Sequence, residues 1–311
     1  MDTKKLLVKR FFAGAYFISG NLPLSFLLKN AGGGPLVLFY HAVSDYPLPH
    51  IENLYRIKNV REFEADLDYL LREFRPIGLD DLKSSILAGG SIPERAFYLT
   101  FDDGLREMAE IVAPILKRKG LHATFFISSG FLNNQDLSYR FKVSLLIGRI
   151  RAQGVTTRGK KELQKLLSSV TLPWTGNIDN DLNNVDYKRH WLLDEAASIL
   201  NYDFHDYLKN SKPYMGVDQI RTLVQEGFAI GSHSIDHPNY SELNLEEQLQ
   251  QTRVGSQHLT KQVGVDHKLF AFPFSEQGVS NDFYKRLVDD GTVQLFFGTS
   301  GWAHLPENHL V

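Results

Sequence analysis

Two kinds of apolar pattern alternate along this chain. The first is a short, largely apolar run, continuous in Leu36-Val37-Leu38-Phe39-Tyr40 and repeated in Ala96-Phe97-Tyr98-Leu99-Thr100-Phe101, Ala123-Thr124-Phe125-Phe126-Ile127, Phe228-Ala229-Ile230, Leu269-Phe270-Ala271-Phe272 and Val293-Gln294-Leu295-Phe296-Phe297. A strand with one wet face alternates polar and apolar residues, so runs of this kind predict parallel strands buried on both faces. The second is helical spacing, as at Phe63, Leu67, Leu70 and Leu71, and again at Ile220, Leu223 and Val224. Strands alternating with helices predict βα units on a parallel sheet. Residues 133–213 break the rhythm, being polar, rich in Lys, Asn and Asp, and helical in pattern around Glu162–Leu167 and Leu192–Leu200. They are read as a helical insertion, with 35–132 and 214–311 as the main α/β unit and 1–34 as a separate N-terminal segment.

Polar residues begin where the strands stop. His41, Asp102-Asp103-Gly104, Ser128-Ser129-Gly130, His233 and Pro273-Phe274 each follow an apolar run, and in a parallel barrel the C-terminal strand ends form the active-site face. Two adjacent carboxylates after a buried strand repel each other, and burial disfavours both charges unless a cation or hydrogen bonds compensate. Taken alone, Asp102-Asp103-Gly104 also reads as a turn whose carboxylates cap a helix beginning near Leu105. His233 and His237, four residues apart in Gly231-Ser232-His233-Ser234-Ile235-Asp236-His237, bring two imidazoles to one side of a turn. With a carboxylate from another strand end they form a two-histidine, one-carboxylate set that leaves positions open, as a catalytic metal site requires.

Composition narrows the chemistry. The 311 residues suffice for one large core. A formal charge of −2 without a long basic run disfavours nucleic acid as a partner. There is no cysteine, so disulfides, thiolate ligands and a cysteine nucleophile are excluded and any metal site uses His, Asp or Glu.

Thr100-Phe101-Asp102-Asp103-Gly104 and His233-Ser234-Ile235-Asp236-His237 resemble the first two motifs of the polysaccharide deacetylases, carbohydrate esterase family 4 with its NodB-homology domain. Phe272-Pro273-Phe274 resembles the third motif. The resemblance extends over Leu36–Leu132 and Val217–Thr299. It implies a distorted, seven-stranded, TIM-like (β/α)-barrel and hydrolysis of N-acetyl groups from an amino-sugar-containing glycan, releasing acetate. It also implies one divalent metal held by Asp103, His233 and His237, with Asp102 as general base and Pro273 and Phe274 beside the substrate and its oxyanion. Zinc is the expected metal, and cobalt, nickel and iron suit the same donors.

The family's third motif carries an Arg that orients the base, whereas Ala271 stands near that place here, and no Leu-x-His fifth motif is evident around His304 and His309. Phe39-Tyr40-His41 resembles the Tyr-His segment of the branch that acts on poly-N-acetylglucosamine, which implies His41 as general acid. Phe274 and Trp302 are candidates for an apolar wall. Other readings stay open: another N-acyl sugar, such as a formamido sugar on a lipid carrier; a carbohydrate-binding protein without catalysis; or a glycosidase, which would leave His233 and His237 idle.

Lys4, Lys5, Lys9 and Arg10 precede an uncharged stretch from Phe11 to Leu28 that Gly14, Gly20, Asn21 and Pro23 interrupt. The stretch is marginal for a hydrocarbon core of about 30 Å. It is read first as a helical pair on the barrel or at a membrane surface, with a membrane span or a cleaved signal peptide as alternatives. A cytoplasmic or membrane-associated location is expected, and an extracytoplasmic one through a signal anchor is the alternative. The insertion could cover the barrel mouth, bind a lipid-linked glycan or mediate dimerisation.

Overall fold

The computed structural model describes residues 34–264 and 266–299; the expectations for residues 1–33, Trp302, His304 and His309 fall outside them. The strands are β1 (Leu36–Tyr40), β2 (Arg75–Pro76), β3 (Ala96–Phe101), β4 (Ala123–Ile127), β5 (Ala229–Ser232), β6 (Leu269–Ala271) and β7 (Leu295–Phe297). All pair in parallel in the order β1-β3-β4-β5-β6-β7, with β2 alongside the start of β3. Six strands lie where the apolar runs predict them. The seventh, β2, has two residues and one is Pro76, so no run marks it. The expectation of burial on both faces holds for β3, β4 and β5 and fails for β1, where Leu36 and Phe39 are exposed. As the terminal strand of the path, β1 pairs with β3 alone.

Successive strand residues alternate between two apolar layers, as the two-residue period of a strand dictates. Phe97, Leu99, Phe101, Phe125, Ile127 and Ile230 join the layer under the surrounding helices. Tyr98, Phe126, Ala229, Leu269, Ala271, Leu295 and Phe297 form the other. In this second layer the rings of Phe126 on β4 and Phe297 on β7 are 4.9 Å apart, although their strands stand three places apart in the sheet. On a flat sheet that separation is about 14 Å. The sheet therefore curls, and this layer fills its concave side as a distorted (β/α)-barrel does.

The helices are α1 (Val60–Glu73), α2 (Leu79–Ala88), α3 (Ala113–Arg118), α4 (Tyr139–Gln153), α5 (Thr157–Ser168), α6 (Ile178–Asn183), α7 (Leu192–Leu200), α8 (Phe204–Ser211), α9 (Val217–Gln225), α10 (Leu245–Val263) and α11 (Asn281–Asp289). Asn59 and Glu62 close a reciprocal capping box at the start of α1, and Asn244 and Glu247 do so for α10. Helices α4 to α9 lie between β4 and β5. Helix α4 is apolar around much of its circumference and is buried accordingly: Phe141 and Leu145 enter the main core, while Tyr139, Val143, Leu146 and Ile147 enter a second core shared with Leu163, Leu167, Leu182 and Leu193. Among the described residues no helix is long and apolar enough to cross a membrane.

One helix shared by two cores couples them. Leu146→Ala is expected to lower stability by about 2–5 kcal/mol in urea unfolding followed by fluorescence and circular dichroism, with one coincident transition. Two separated transitions would contradict the coupling.

Candidate metal centre and active site

Asp102 and Asp103 follow β3, His233 and His237 follow β5, His41 follows β1, and Pro273 and Phe274 stand just past β6. The parallel sheet thus delivers all seven expected residues to one end. Strand β4 separates β3 from β5, and its C-terminal loop fastens the histidine loop. The His233 N–H donates to the Ile127 carbonyl at 2.9 Å, Ser129 to Ser234 at 3.1 Å and Gly130 to Ile235 at 2.7 Å, and the Ser128 hydroxyl donates to the His233 carbonyl at 2.8 Å. From the other side, Gln251 of α10 accepts from the Ile235 N–H at 3.1 Å. Two glycines permit this close packing. A Cβ on Gly130 would stand 2.8 Å from the Ile235 carbonyl oxygen, and one on Gly255 2.8 Å from the Ser234 carbonyl carbon.

The histidine and carboxylate donors converge. Ligand atoms of Asp103, His233 and His237 lie within 4.8 Å of one another. The carboxyl of Asp103, 8% exposed, has Oδ1 3.0 Å from His237 Nε2 and 3.6 Å from His233 Nε2. It serves the histidines rather than acting as a helix cap. The ring of His233 is oriented by its other nitrogen, since Nδ1 lies 2.9 Å from the Ala271 carbonyl oxygen. A carbonyl only accepts, so the proton sits on Nδ1 and Nε2 presents a lone pair. That nitrogen is buried without a hydrogen-bond partner. A lone pair and a carboxylate oxygen facing each other away from water repel unless a cation stands between them. A proton fits poorly there: burial, reinforced by His237, pulls His233 down to about 3. A divalent cation fits the donor set and resolves the repulsion.

Adjacent carboxyls meet opposite environments. Burial pushes Asp103 up, but the hydrogen-bonded His237, with His41 and His233, outweighs it and holds the group well below the usual carboxylate range. Burial pushes Asp102 up to about 7, with His41 opposing and Asp103 adding to the shift. The Asp102 backbone N–H donates to the Tyr40 carbonyl at 2.9 Å, beside His41, and its Oδ1 is buried without a hydrogen-bond partner. Ala271, where the motif has Arg, sends its side chain into the concave core and offers its carbonyl to His233 instead.

Four of these loop residues sit in the left-handed region: Asp103 at φ 78°, Ser234 at 71°, His237 at 60° and Phe274 at 61°. Such conformations cost about 1–3 kcal/mol each and gather at functional sites. Phe274 lies 44% exposed at the apex of a tight turn, where the Ser275 N–H donates to the Pro273 carbonyl at 2.7 Å. Its ring meets His237 edge-on at 4.8 Å.

Sequence reasoning singled out neither Tyr55 nor the Asp236–Tyr187 pair. The Tyr55 ring lies 5.4 Å from that of His41, and its hydroxyl is raised by burial and then by Asp103 and Asp102. The Tyr187 hydroxyl reaches both oxygens of Asp236, at 2.9 and 3.0 Å. Tyr55 sits in a loop with no motif of its own. Asp236 lay inside the histidine motif, but its partner is 49 residues away.

The family profile described as polysaccharide deacetylase matches residues 89–166 and 185–293. That is more than half of the chain, which belongs to this family. It is accordingly a hydrolase of amide bonds in N-acetylated polysaccharides. The structure resembles the deacetylase PplD of Streptococcus pyogenes, solved in complex with acetate, at 15% identity and TM-score 0.52 over 85% of this chain and 83% of that one. It also resembles IcaB from Ammonifex degensii, at 18% and 0.51 over 86% and 84%, and a de-N-acetylase from Aggregatibacter actinomycetemcomitans, at 15% and 0.52 over 89% and 92%. At these identities the likeness shows the shared fold. A comparison with curated proteins returned no match.

Gly255→Ala should press on the Ser234 backbone and displace the histidine loop. It is expected to weaken zinc or cobalt binding by about 10–100-fold, measured by competition with a chromophoric chelator, with the far-ultraviolet dichroism intact. Unchanged affinity would show that the loop does not depend on this contact.

Proposed function

We propose that this protein is a metal-dependent deacetylase of a poly-N-acetylglucosamine-type glycan, in which Asp103, His233 and His237 hold the metal, Asp102 is the general base and His41 the general acid. The observation that carries this reading is the unpartnered, buried Nε2 of His233 aimed at the Asp103 carboxylate. A divalent metal held by these three side chains supplies Lewis-acid polarisation of the acetamide carbonyl and lowers the pKa of water from about 15.7 towards 7. Zinc suits the donors, and cobalt, nickel and iron are accommodated by the same set.

The residues of the chain do the remaining work. Asp102, whose Oδ1 is free of hydrogen bonds, accepts the proton from the attacking water. A backbone N–H at the Pro273-Phe274 turn donates to the carbonyl oxygen as it gains negative charge, a contribution typically of about 3–4 kcal/mol. The carbon–nitrogen bond then breaks, His41 gives its proton to the departing amine nitrogen, and acetate and a free amino sugar result. Phe274 presents an apolar edge beside His237, suited to the acetyl methyl. Support for the acyl group comes from the acetate bound in the Streptococcus pyogenes deacetylase. The motif around His41 supports the glycan class.

Protein stripped by chelator should release no acetate from N-acetylglucosamine oligomers and regain release on addition of zinc or cobalt. Asp102→Asn is expected to cost about 10²–10⁴-fold in turnover with metal content unchanged. Metal-independent release would end the proposal. Separately, His41→Ala should keep stoichiometric metal, by elemental analysis, and lose most turnover; a variant with wild-type turnover would remove His41 from the acid role.

A further inference from the structure

Resting on that reading, we infer that Phe39 and Tyr55 are positioning residues of the reaction: their rings hold the imidazole of His41 where the departing amine takes its proton. The two-residue period of β1 sends Val37 and Phe39 to one side, and His41 follows two residues on. Val37 packs against the concave core, whereas Phe39 stays 52% exposed. Its ring meets that of His41 edge-on instead, with centroids 5.8 Å apart and an interplanar angle of 71°. The Tyr55 ring, 37% exposed, meets the same imidazole at 5.4 Å and 56°. Among the described residues no hydrogen bond reaches either nitrogen of His41. The contrast with His233 is chemical: a metal ligand has one nitrogen tied to a carbonyl, while an imidazole held through ring contacts keeps both nitrogens open to carry a proton.

Tyr55 is delivered by a braced loop between β1 and α1. Ile51 is fully buried, its N–H donates to the Leu48 carbonyl at 2.8 Å, and the Leu54 N–H donates to the Ile51 carbonyl at 2.7 Å. Helix α4 fastens this loop: the Asn53 N–H donates to the Ser144 hydroxyl at 3.2 Å, the Asn53 side-chain amide donates to the Ser144 carbonyl at 3.0 Å, and the Ser144 hydroxyl donates to the Pro49 carbonyl at 2.7 Å. Helix α8 adds a further tie, with His50 Nδ1 lying 2.8 Å from the Tyr207 hydroxyl. A ring carried on a backbone fixed in this way can fix its neighbour in turn, as a preorganised site requires. Neither half-exposed ring serves a core, and both converge on one imidazole. Placement of a reacting group matters because a shift of about 1 Å can cost about 100-fold in rate.

The test compares the full-length, zinc-loaded protein with Phe39→Ala, Tyr55→Ala and Tyr55→Phe, in acetate release from N-acetylglucosamine oligomers and in crystals. Each alanine variant is expected to lower kcat by about 10–100-fold, with KM and zinc content unchanged and the His41 ring shifted or split between rotamers. Tyr55→Phe, which keeps the ring, should stay within about threefold of the wild type. An unmoved His41 in both alanine variants, a loss carried by KM or by missing zinc, or a Tyr55→Phe as slow as Tyr55→Ala would overturn the positioning role. The two readings fail differently. No release by the wild type, or full turnover in His41→Ala, together with a His41 displaced by Tyr55→Ala, would remove the acid and leave the hold of the rings on His41 standing. A crippled His41→Ala beside full turnover in Phe39→Ala and Tyr55→Ala would keep the acid and remove the role of the rings.

Discussion

The arrangement turns on one buried charge. Taking a carboxylate out of water costs several kcal/mol unless opposite charge and hydrogen bonds compensate, and Asp103 is buried among imidazoles. Its neighbours are placed as a cation site demands. A backbone carbonyl fixes the tautomer of His233, the β4 loop and α10 hold the histidine loop from both sides, and Asp103, Ser234 and His237 take left-handed backbone conformations. Fixing the ligands by their outer contacts is how proteins secure metal geometry. The barrel, whose parallel strands all end on this face, supplies the rigid frame.

The same burial gives two adjacent carboxyls opposite environments. Asp103, hydrogen-bonded to His237, is held well below the usual carboxylate range, while Asp102, one residue earlier, is pushed up to about 7 by burial. Pairs of titratable groups driven apart by their surroundings are the usual mark of acid–base assignments. In this chain the backbone at Ala271, rather than an arginine side chain, supports the site, acting through His233.

The helical stretch between β4 and β5 belongs to this machinery as well as to the protein's periphery. Helix α4 ties its core to that of the barrel, and Tyr187 ties it to the histidine loop through Asp236. Gln251 touches both, accepting from Ile235 and donating to Tyr187. A change in that stretch therefore reaches the centre by two routes, one through packing and one through hydrogen bonds.

Six of the seven strands and the convergence of His41, Asp102, Asp103, His233, His237, Pro273 and Phe274 on one face were legible in the sequence. Continuous apolar runs mark buried parallel strands, and parallel strands end together. Strand β2 was not legible, because two residues carry no periodicity, and neither was the exposure of β1, because an apolar run does not say whether its strand is central or terminal. Contacts between distant residues were silent for the same reason: the Tyr187–Asp236 pair, the approach of Gly255 to Ser234 and the contact of Tyr55 with His41 join segments whose spacing along the chain holds no signal. The sequence by itself determined the candidate donor residues, the strands that carry them and the family resemblance. Only the tertiary structure decided the tautomer of His233, the separate environments of Asp102 and Asp103, and the aromatic surroundings, because these depend on which backbone and side-chain atoms folding brings within a few ångströms.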